Sequence, residues 1–202
     1  YRSQNRGGRG RTGMGTKDDD FVEHLYVATA HSYILVFTES GRVHWLKVHE
    51  IPEAGPAARG KAIVNLLELE ANERLATTVA VRTFPEDRFL LFATEKGTVK
   101  KTELSAYANP RVGGIIGINI DEGDRLLAVR ETDGKKDILI ATSKGFAIRF
   151  PESDVRPTGR ATYGVRGLSL REGDRVVGIE ALDPHGDILT VSERGYGKRT
   201  PI

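Results

Sequence analysis

The chain contains no cysteine, a single methionine, a single tryptophan, and no apolar stretch of the roughly 18 residues a membrane helix requires. Without cysteine there are no disulfides, no thiolate nucleophiles and no Cys-based metal sites, and a reducing cytoplasm fits. No basic-then-apolar leader ending in small residues marks the chain for secretion. An excess of one charge is also missing: 30 Lys+Arg stand against 28 Asp+Glu, a net charge of +2, so only the distribution of charge is informative. Aromatics make up 7% of residues and fall mostly in strand-like stretches, which disfavours a single-stranded RNA binder built on base stacking. What remains is 202 residues, 39% of them hydrophobic, enough for one large domain or two small ones with an unstapled core.

A repeat runs through the chain. The stretches Ile34 to Val43, Leu90 to Val99, Leu139 to Ala147 and Leu189 to Gly197 each read as a short apolar strand, a Thr/Ser-x-x-Gly turn and a second strand. The glycine supplies a positive φ, so each unit is a β-hairpin. Between the hairpins lies an acidic turn that feeds an apolar strand: Glu70 to Leu75, Asp121 to Leu126 and Arg171 to Val176, with a divergent copy at Asp19 to Leu25. His24, Arg74, Arg125 and Arg175 are spaced 50, 51 and 50 residues apart, and Gly41, Gly97, Gly145 and Gly195 are spaced 56, 48 and 50. Two interleaved markers holding one period of about 50 residues, with about four short strands per period, predict an all-β fold of radially repeated, propeller-like blades. The units run 18–74, 75–125, 126–175 and an incomplete 176–202, within one repeat domain spanning 1–202. A helix over Ala57 to Leu69 is the one competing element, weakened by Gly60 and the β-branched pair Ile63 and Val64. Three whole units and two halves are present. Either the halves complete one blade, or the chain is a piece of a longer array, as a stop one strand past a hairpin suggests.

Within each unit the two signs of charge separate. Acids fill the turn. Bases gather on the hairpin and the loop after it: Lys96, Lys144 and Arg194 precede the turn glycine, and Lys101, Arg149 and Arg199 follow it by four residues, with Lys100 and Lys198 beside them. Arg59, Lys61, Arg111, Arg156, Arg160 and Arg166 lie in the loops. Equivalent positions of radial blades share one radius, so these bases are expected to draw a curved stripe suited to a nucleic-acid backbone. Lysines that merely block edge-strand aggregation are the plainer explanation of any one of them. Residues 1–17 hold five bases, five glycines and no acid, and Arg9-Gly10-Arg11 lies 50 residues before Arg59-Gly60-Lys61. This segment is therefore expected to be an elaborated inter-blade loop whose amides and guanidinium groups meet phosphate, with a disordered Arg-Gly tail as the alternative.

Motifs that suggest chemistry do not hold. Gly8-x-Gly10-x-x-Gly13 has no flanking strand and helix, and Gly55 to Ala62 puts alanine where a P-loop needs Ser or Thr for Mg²⁺. The five histidines show no metal spacing; His31 and His44 fall in strand-like stretches as core or face residues, and Asp18 to Asp20 occupies the acidic-turn position. No nucleophile elbow or isolated carboxylate pair is present. No catalytic residue, cofactor site or metal site is expected in this chain.

Gln4-Asn5-Arg6-Gly7-Gly8-Arg9-Gly10 resembles the Gln-Arg-Arg-Gly-Gly-Lys-Gly box of the DNA gyrase A C-terminal domain, which distinguishes gyrase from the related topoisomerase IV. Ile63 to Leu67, Gly97 to Thr102, Gly164 to Leu168 and Gly195 to Thr200 are similar to that domain's blades in the same order, over essentially the whole chain. Asn5 stands where the box has Arg, losing a charge, and Arg9 where it has Lys, keeping one.

The resemblance implies a six-bladed β-pinwheel whose neighbouring blades exchange a strand, of which this chain would cover about two thirds. It implies sequence-independent binding of double-stranded DNA and its wrapping into the positive crossing that gyrase uses for ATP-dependent negative supercoiling. The implied partners are the N-terminal cleavage domain of the same polypeptide, together with the ATPase subunit of gyrase in its A2B2 holoenzyme. The implied location is the bacterial cytoplasm, away from membranes, and the isolated domain is expected to be a monomer. The cleaving tyrosine, the ATP site and the Mg²⁺ site would lie elsewhere, so none of the six tyrosines is read as catalytic. Charge and resemblance together give a DNA-contacting set: Gln4, Arg6, Gly7, Gly8, Arg9, Gly10 and Arg11 in the box, then Arg42, Arg59, Lys61, Lys96, Lys100, Lys101, Arg111, Lys144, Arg149, Arg160, Arg166, Arg194, Lys198 and Arg199. A propeller-like protein-interaction scaffold that does not wrap DNA is the alternative function.

Overall fold

A computed structural model describes residues 6–8, 24–55, 58, 60–70 and 72–202. Its strands are β1 (Tyr33–Thr38), β2 (Arg42–Lys47), β3 (Leu75–Val81), β4 (Phe89–Thr94), β5 (Thr98–Glu103), β6 (Ile115–Ile116), β7 (Leu126–Thr132), β8 (Asp137–Thr142), β9 (Ala147–Pro151), β10 (Val165–Arg166), β11 (Val176–Leu182), β12 (Asp187–Val191) and β13 (Gly197–Pro201). Among the described residues the only helical pieces are single 3₁₀ turns, one of them Ile63–Asn65. The competing helix is not formed over its described residues 60–69: β-branched Ile63 and Val64 sit in that short turn and Gly60 precedes it in irregular chain.

The hairpins are those the period predicts: β1–β2, β4–β5, β8–β9 and β12–β13 are antiparallel pairs. Their tips explain the Thr-x-x-Gly signature. Thr38, Thr94 and Thr142 each accept, through Oγ1, the amide four residues on, at 3.2, 3.1 and 3.3 Å. The glycines at the tips have φ of 85°, 89°, 81° and 80°, a region that side chains resist.

Two full blades have the strand orders β3-β1-β2-β6 and β10-β5-β4-β7; the third sheet is β11-β8-β9, and β12–β13 stands as a pair. The fourth strand of each full blade is contributed by the repeat that follows. Ile115–Ile116 pairs with Val43 and Arg42, and Val165–Arg166 pairs with Val99 and Thr98. The sheets therefore straddle the cuts at 74/75 and 125/126 instead of coinciding with the repeat units.

β4 is apolar from Phe89 to Ala93 because both of its faces are covered. Leu90 and Phe92 join Leu35, Phe37, Tyr107 and Ile118 in the core between the first two blades, and Leu91 and Ala93 join Ile138, Ile140 and Val176 in the core between the second and third. Phe37 meets Phe92 edge-on, 5.6 Å between centroids, worth about 0.5–1.5 kcal/mol beyond burial. β3 packs on β7, and β7 on β11. These strands form the hub, and β6 and β10, at the opposite sheet edges, form the outer rim.

Candidate nucleic-acid interface

The donated strands fix what the rim presents. Gly114 and Gly164 enter them against the preceding blade: a Cβ on Gly164 would lie 2.3 Å from the Val99 carbonyl, and one on Gly114 2.8 Å from the Val43 carbonyl. Just ahead of these glycines come the loops that hold Arg111 and Arg160, and Arg166 closes β10. Arg111 and Arg166 are exposed and Arg160 half-buried; none forms an ion pair among the described residues. These three bases, with exposed Arg156, stand on the outer edge as guanidinium groups free to meet an anion. Lys61, Arg194 and Lys198 are exposed and likewise unpaired among the described residues.

Lys96 and Lys144 are exposed at the hairpin tips but tethered by the acidic turns. Their ammonium groups donate to the Glu122 and Glu172 carbonyls at 3.3 and 2.5 Å, and their amides to Asp124 and Asp174 at 2.9 and 3.0 Å. The acidic turn is thus the clamp of the neighbouring hairpin tip, which explains why the two sequence markers keep phase. Slight desolvation would raise Asp174, but hydrogen bonds from Thr142, the Lys144 amide, Ser143 and the Arg175 amide outweigh it and pull its pKa down to about 2. Arg125 reinforces the clamp between blades, bidentate on Glu95 at 3.0 Å and on Glu39 at 2.9 Å; the Arg125 hydrogen bonds hold Glu95 below the usual carboxylate range.

Two expected DNA contacts are corrected by the structure. Lys100 and Lys101 are not on the rim: they are 1% and 4% exposed, because β5 is covered on both faces. The Lys100 ammonium lies 5.4 Å over the Phe92 ring and donates to the Gly117 carbonyl at 2.6 Å and to the Arg160 carbonyl; burial pulls its pKa down to about 8. Lys101 donates to the Glu152 carbonyl at 2.9 Å, with the Glu152 carboxylate 3.9 Å away. Arg149 and Arg199 are exposed but engaged across their hairpins by Asp137 and Asp187. Arg42 is half-buried; it donates to the Gly113 carbonyl at 2.6 Å and lies 3.6 and 3.8 Å from Glu70 and Glu73. Lys100 and Lys101 accordingly drop out of the expected basic stripe.

Arg6, Gly7 and Gly8 form an exposed turn, with Gly7 at φ 87°. Gln4, Arg9, Gly10, Arg11 and Arg59, and most of the 1–17 segment, lie outside the described residues. His44 is buried on β2 as expected, with Nε2 3.7 Å from Glu73, while His31 sits in the exposed turn before β1 instead of a strand. Alternation along β5 carried no warning that both lysines are internal, since a strand between two blades has no solvent face. Glu152, the acid that Lys101 meets, lies 51 residues on, in the next unit.

A family model described as DNA gyrase C-terminal domain, beta-propeller, matches residues 1–29, 32–82, 88–133, 136–183 and 186–202. The chain belongs to this family. It is 50% identical over 165 residues to the DNA gyrase A proteins of Halalkalibacterium halodurans and Clostridium acetobutylicum, covering 82% of this chain and 20% of each relative. The chain therefore spans about a fifth of the length of those relatives. Among solved structures, the C-terminal domain of DNA topoisomerase IV superposes with a TM-score of 0.76 at 30% identity over 86% of this chain and 54% of that one. The DNA gyrase A C-terminal domain does so with 0.74 at 25% over 93% and 62%. The all-β pinwheel reading is borne out by the strand-exchanged sheets and by these neighbours. Among the described residues no helix of this gyrase-family domain is long and apolar enough to cross a membrane.

Proposed function

We propose that this domain binds double-stranded DNA without sequence preference and bends it around its outer rim, supplying the positive crossing that a gyrase converts to negative supercoils. The observation that carries the reading is the set of exposed, unpaired arginines on and ahead of the donated strands, Arg111 and Arg166 above all, at the edge farthest from the hub. Short strands and loops at that edge reach phosphates, and no recognition helix is available to read bases. Bending 20–30 bp by 40–90° costs on the order of 1–6 kcal/mol. Roughly 6–10 phosphate contacts offset that cost through counterion release, with steep salt dependence. DNA cleavage and ATP hydrolysis, with Mg²⁺, belong in this reading to the N-terminal cleavage domain and the ATPase subunit, in the bacterial cytoplasm. Arg6, Gly7 and Arg9 close the wrap while the rim supplies most of the affinity.

The test is topological. The chain is bound to nicked circular DNA, the nick is sealed, the protein is stripped, and the linking number is read on a gel. A positive shift that grows with protein supports the proposal; salt-sensitive binding without a shift removes wrapping and leaves binding. Exposed Val112, Ile116, Tyr163 and Val165 on the same edge favour a rival, a protein-interaction scaffold. A scaffold would show no duplex affinity that falls linearly with salt on logarithmic axes.

A further inference from the structure

We infer that the buried Lys100 ammonium is a positioning group that fixes the spacing of two successive rim loops and so sets the curvature offered to DNA. Its consequence for DNA rests on the wrapping reading; its structural half does not. Gly117 follows donated strand β6 and Arg160 precedes donated strand β10, so the two carbonyls that accept from Lys100 belong to the loops of consecutive blades. Tyr107 donates to the same Gly117 carbonyl at 3.4 Å.

No carboxylate neutralises Lys100 among the described residues. A desolvated ammonium is tolerated only while its hydrogen bonds are made, so any movement that parts the loops leaves a buried cation with unused donors. The loops are thereby held at one separation. Hairpin register places His44 of β2 and Ile148 of β9 at the position of Lys100, opposite Val36 and Ile140 as Lys100 is opposite Phe92. Neither makes such a bridge: His44 Nε2 has no hydrogen-bond partner among the described residues, and isoleucine has no donor. In the first blade Arg42 reaches one rim-loop carbonyl, Gly113, where Lys100 spans two. Lys100 thus links the rim loops of the first and second blades from within, beside Asn119, which donates from its side chain to the Ala161 carbonyl at 3.1 Å and from its amide to the Thr162 carbonyl at 3.0 Å.

The test uses Lys100→Ile, a residue that the same register accepts in β9. Spin labels are placed through Val112→Cys and Ala161→Cys, which are specific because the chain has no other cysteine. Without DNA, pulsed EPR is expected to give a narrow distance distribution in the labelled parent and one at least twofold broader in Lys100→Ile, with a cooperative melt in both. With DNA, end-to-end FRET on a bound duplex should show weaker bending while the salt slope of affinity stays the same. An unchanged distribution in a folded variant overturns the inference. So does a slope that falls by about one, which would mean that the ammonium contacts phosphate. If Lys100→Ile does not melt cooperatively, Lys100→Met takes its place, keeping an unbranched stem without the donors: a broader distribution is expected, and an unchanged one overturns the inference. If the parent binds no DNA, the wrapping reading falls and the EPR arm still decides this one.

Discussion

Asp174 accepts hydrogen bonds from the Ser143 hydroxyl and from the amides of Lys144 and Arg175, all at 2.9–3.0 Å, and so ties the third hairpin tip to the turn after it. Its carboxylate is held near pKa 2 against an ordinary 3.8. A group lowered on folding adds stability above its unfolded pKa and loses it as pH falls through the folded one. Asp174→Asn is therefore expected to lower Tm at pH 7, with the difference from the parent shrinking between pH 4 and pH 2. A difference that stays constant across that window would show that the charge is not what the turn uses. Lys100 gives the opposite window. Its pKa falls from 10.5 to about 8, so the unfolded chain binds the extra proton between those values and stability rises with pH there. Thermal melts from pH 7.5 to 9.5 are expected to show that rise in the parent and to lack it in Lys100→Ile. Residue type made the acids of the turn legible as a repeated group, but not their task. Nor did it show that Lys100 and Lys101 point inward, because burial depends on the neighbouring blade and no local pattern records that blade.

At the scale of the element, the hairpins and acidic turns could be read because each depends on local chemistry: a hydroxyl that caps the tip, a positive φ, and alternation along a short strand. Even the variant turn at Asn72, with φ 71°, keeps the geometry of Gly123 and Gly173. The donated strands were not legible from spacing. Two residues pairing with a hairpin some 70 positions away leave no periodic trace, and strand exchange was expected only as what the resemblance to the gyrase domain implies. Those glycines mark contact between backbones. Adding a Cβ at Gly164 sets it 2.3 Å from a carbonyl that belongs to the middle of a sheet, which cannot retreat. Gly164→Ala is expected to cost about 3 kcal/mol and to release β10 from β5. Gly159→Ala, five residues earlier in open space, is expected to stay within about 0.5 kcal/mol. Chemical denaturation gives the energies, and amide exchange at Gly167, which donates to the Gly97 carbonyl at 2.9 Å, reports whether the strand has left. Equal effects at the two glycines would mean that the close approach does not hold the exchange in place.

For the whole molecule, a 50-residue period identifies which positions are equivalent but not the radius at which they lie. Strand exchange decides that: it puts β3, β7 and β11 at the hub and carries Arg111 and Arg166 outward, while the bases four residues after each turn glycine are buried or paired across their hairpins. The DNA path should therefore follow the donated strands more than the hairpin tips. Each unpaired base that reaches a phosphate contributes about one to the slope of log affinity against log salt. Replacing Arg111, Arg160 and Arg166 with alanine together is expected to lower that slope by about two to three and to weaken binding equally on unrelated duplex sequences. Arg149→Ala removes a base already engaged by Asp137 and should leave the slope nearly unchanged. Fluorescence anisotropy on a fixed-length duplex across a salt series measures both. If Arg149→Ala lowers the slope and the triple variant does not, the duplex runs along the hairpins, and the outer edge with its exposed Val112 and Tyr163 is the surface that meets protein.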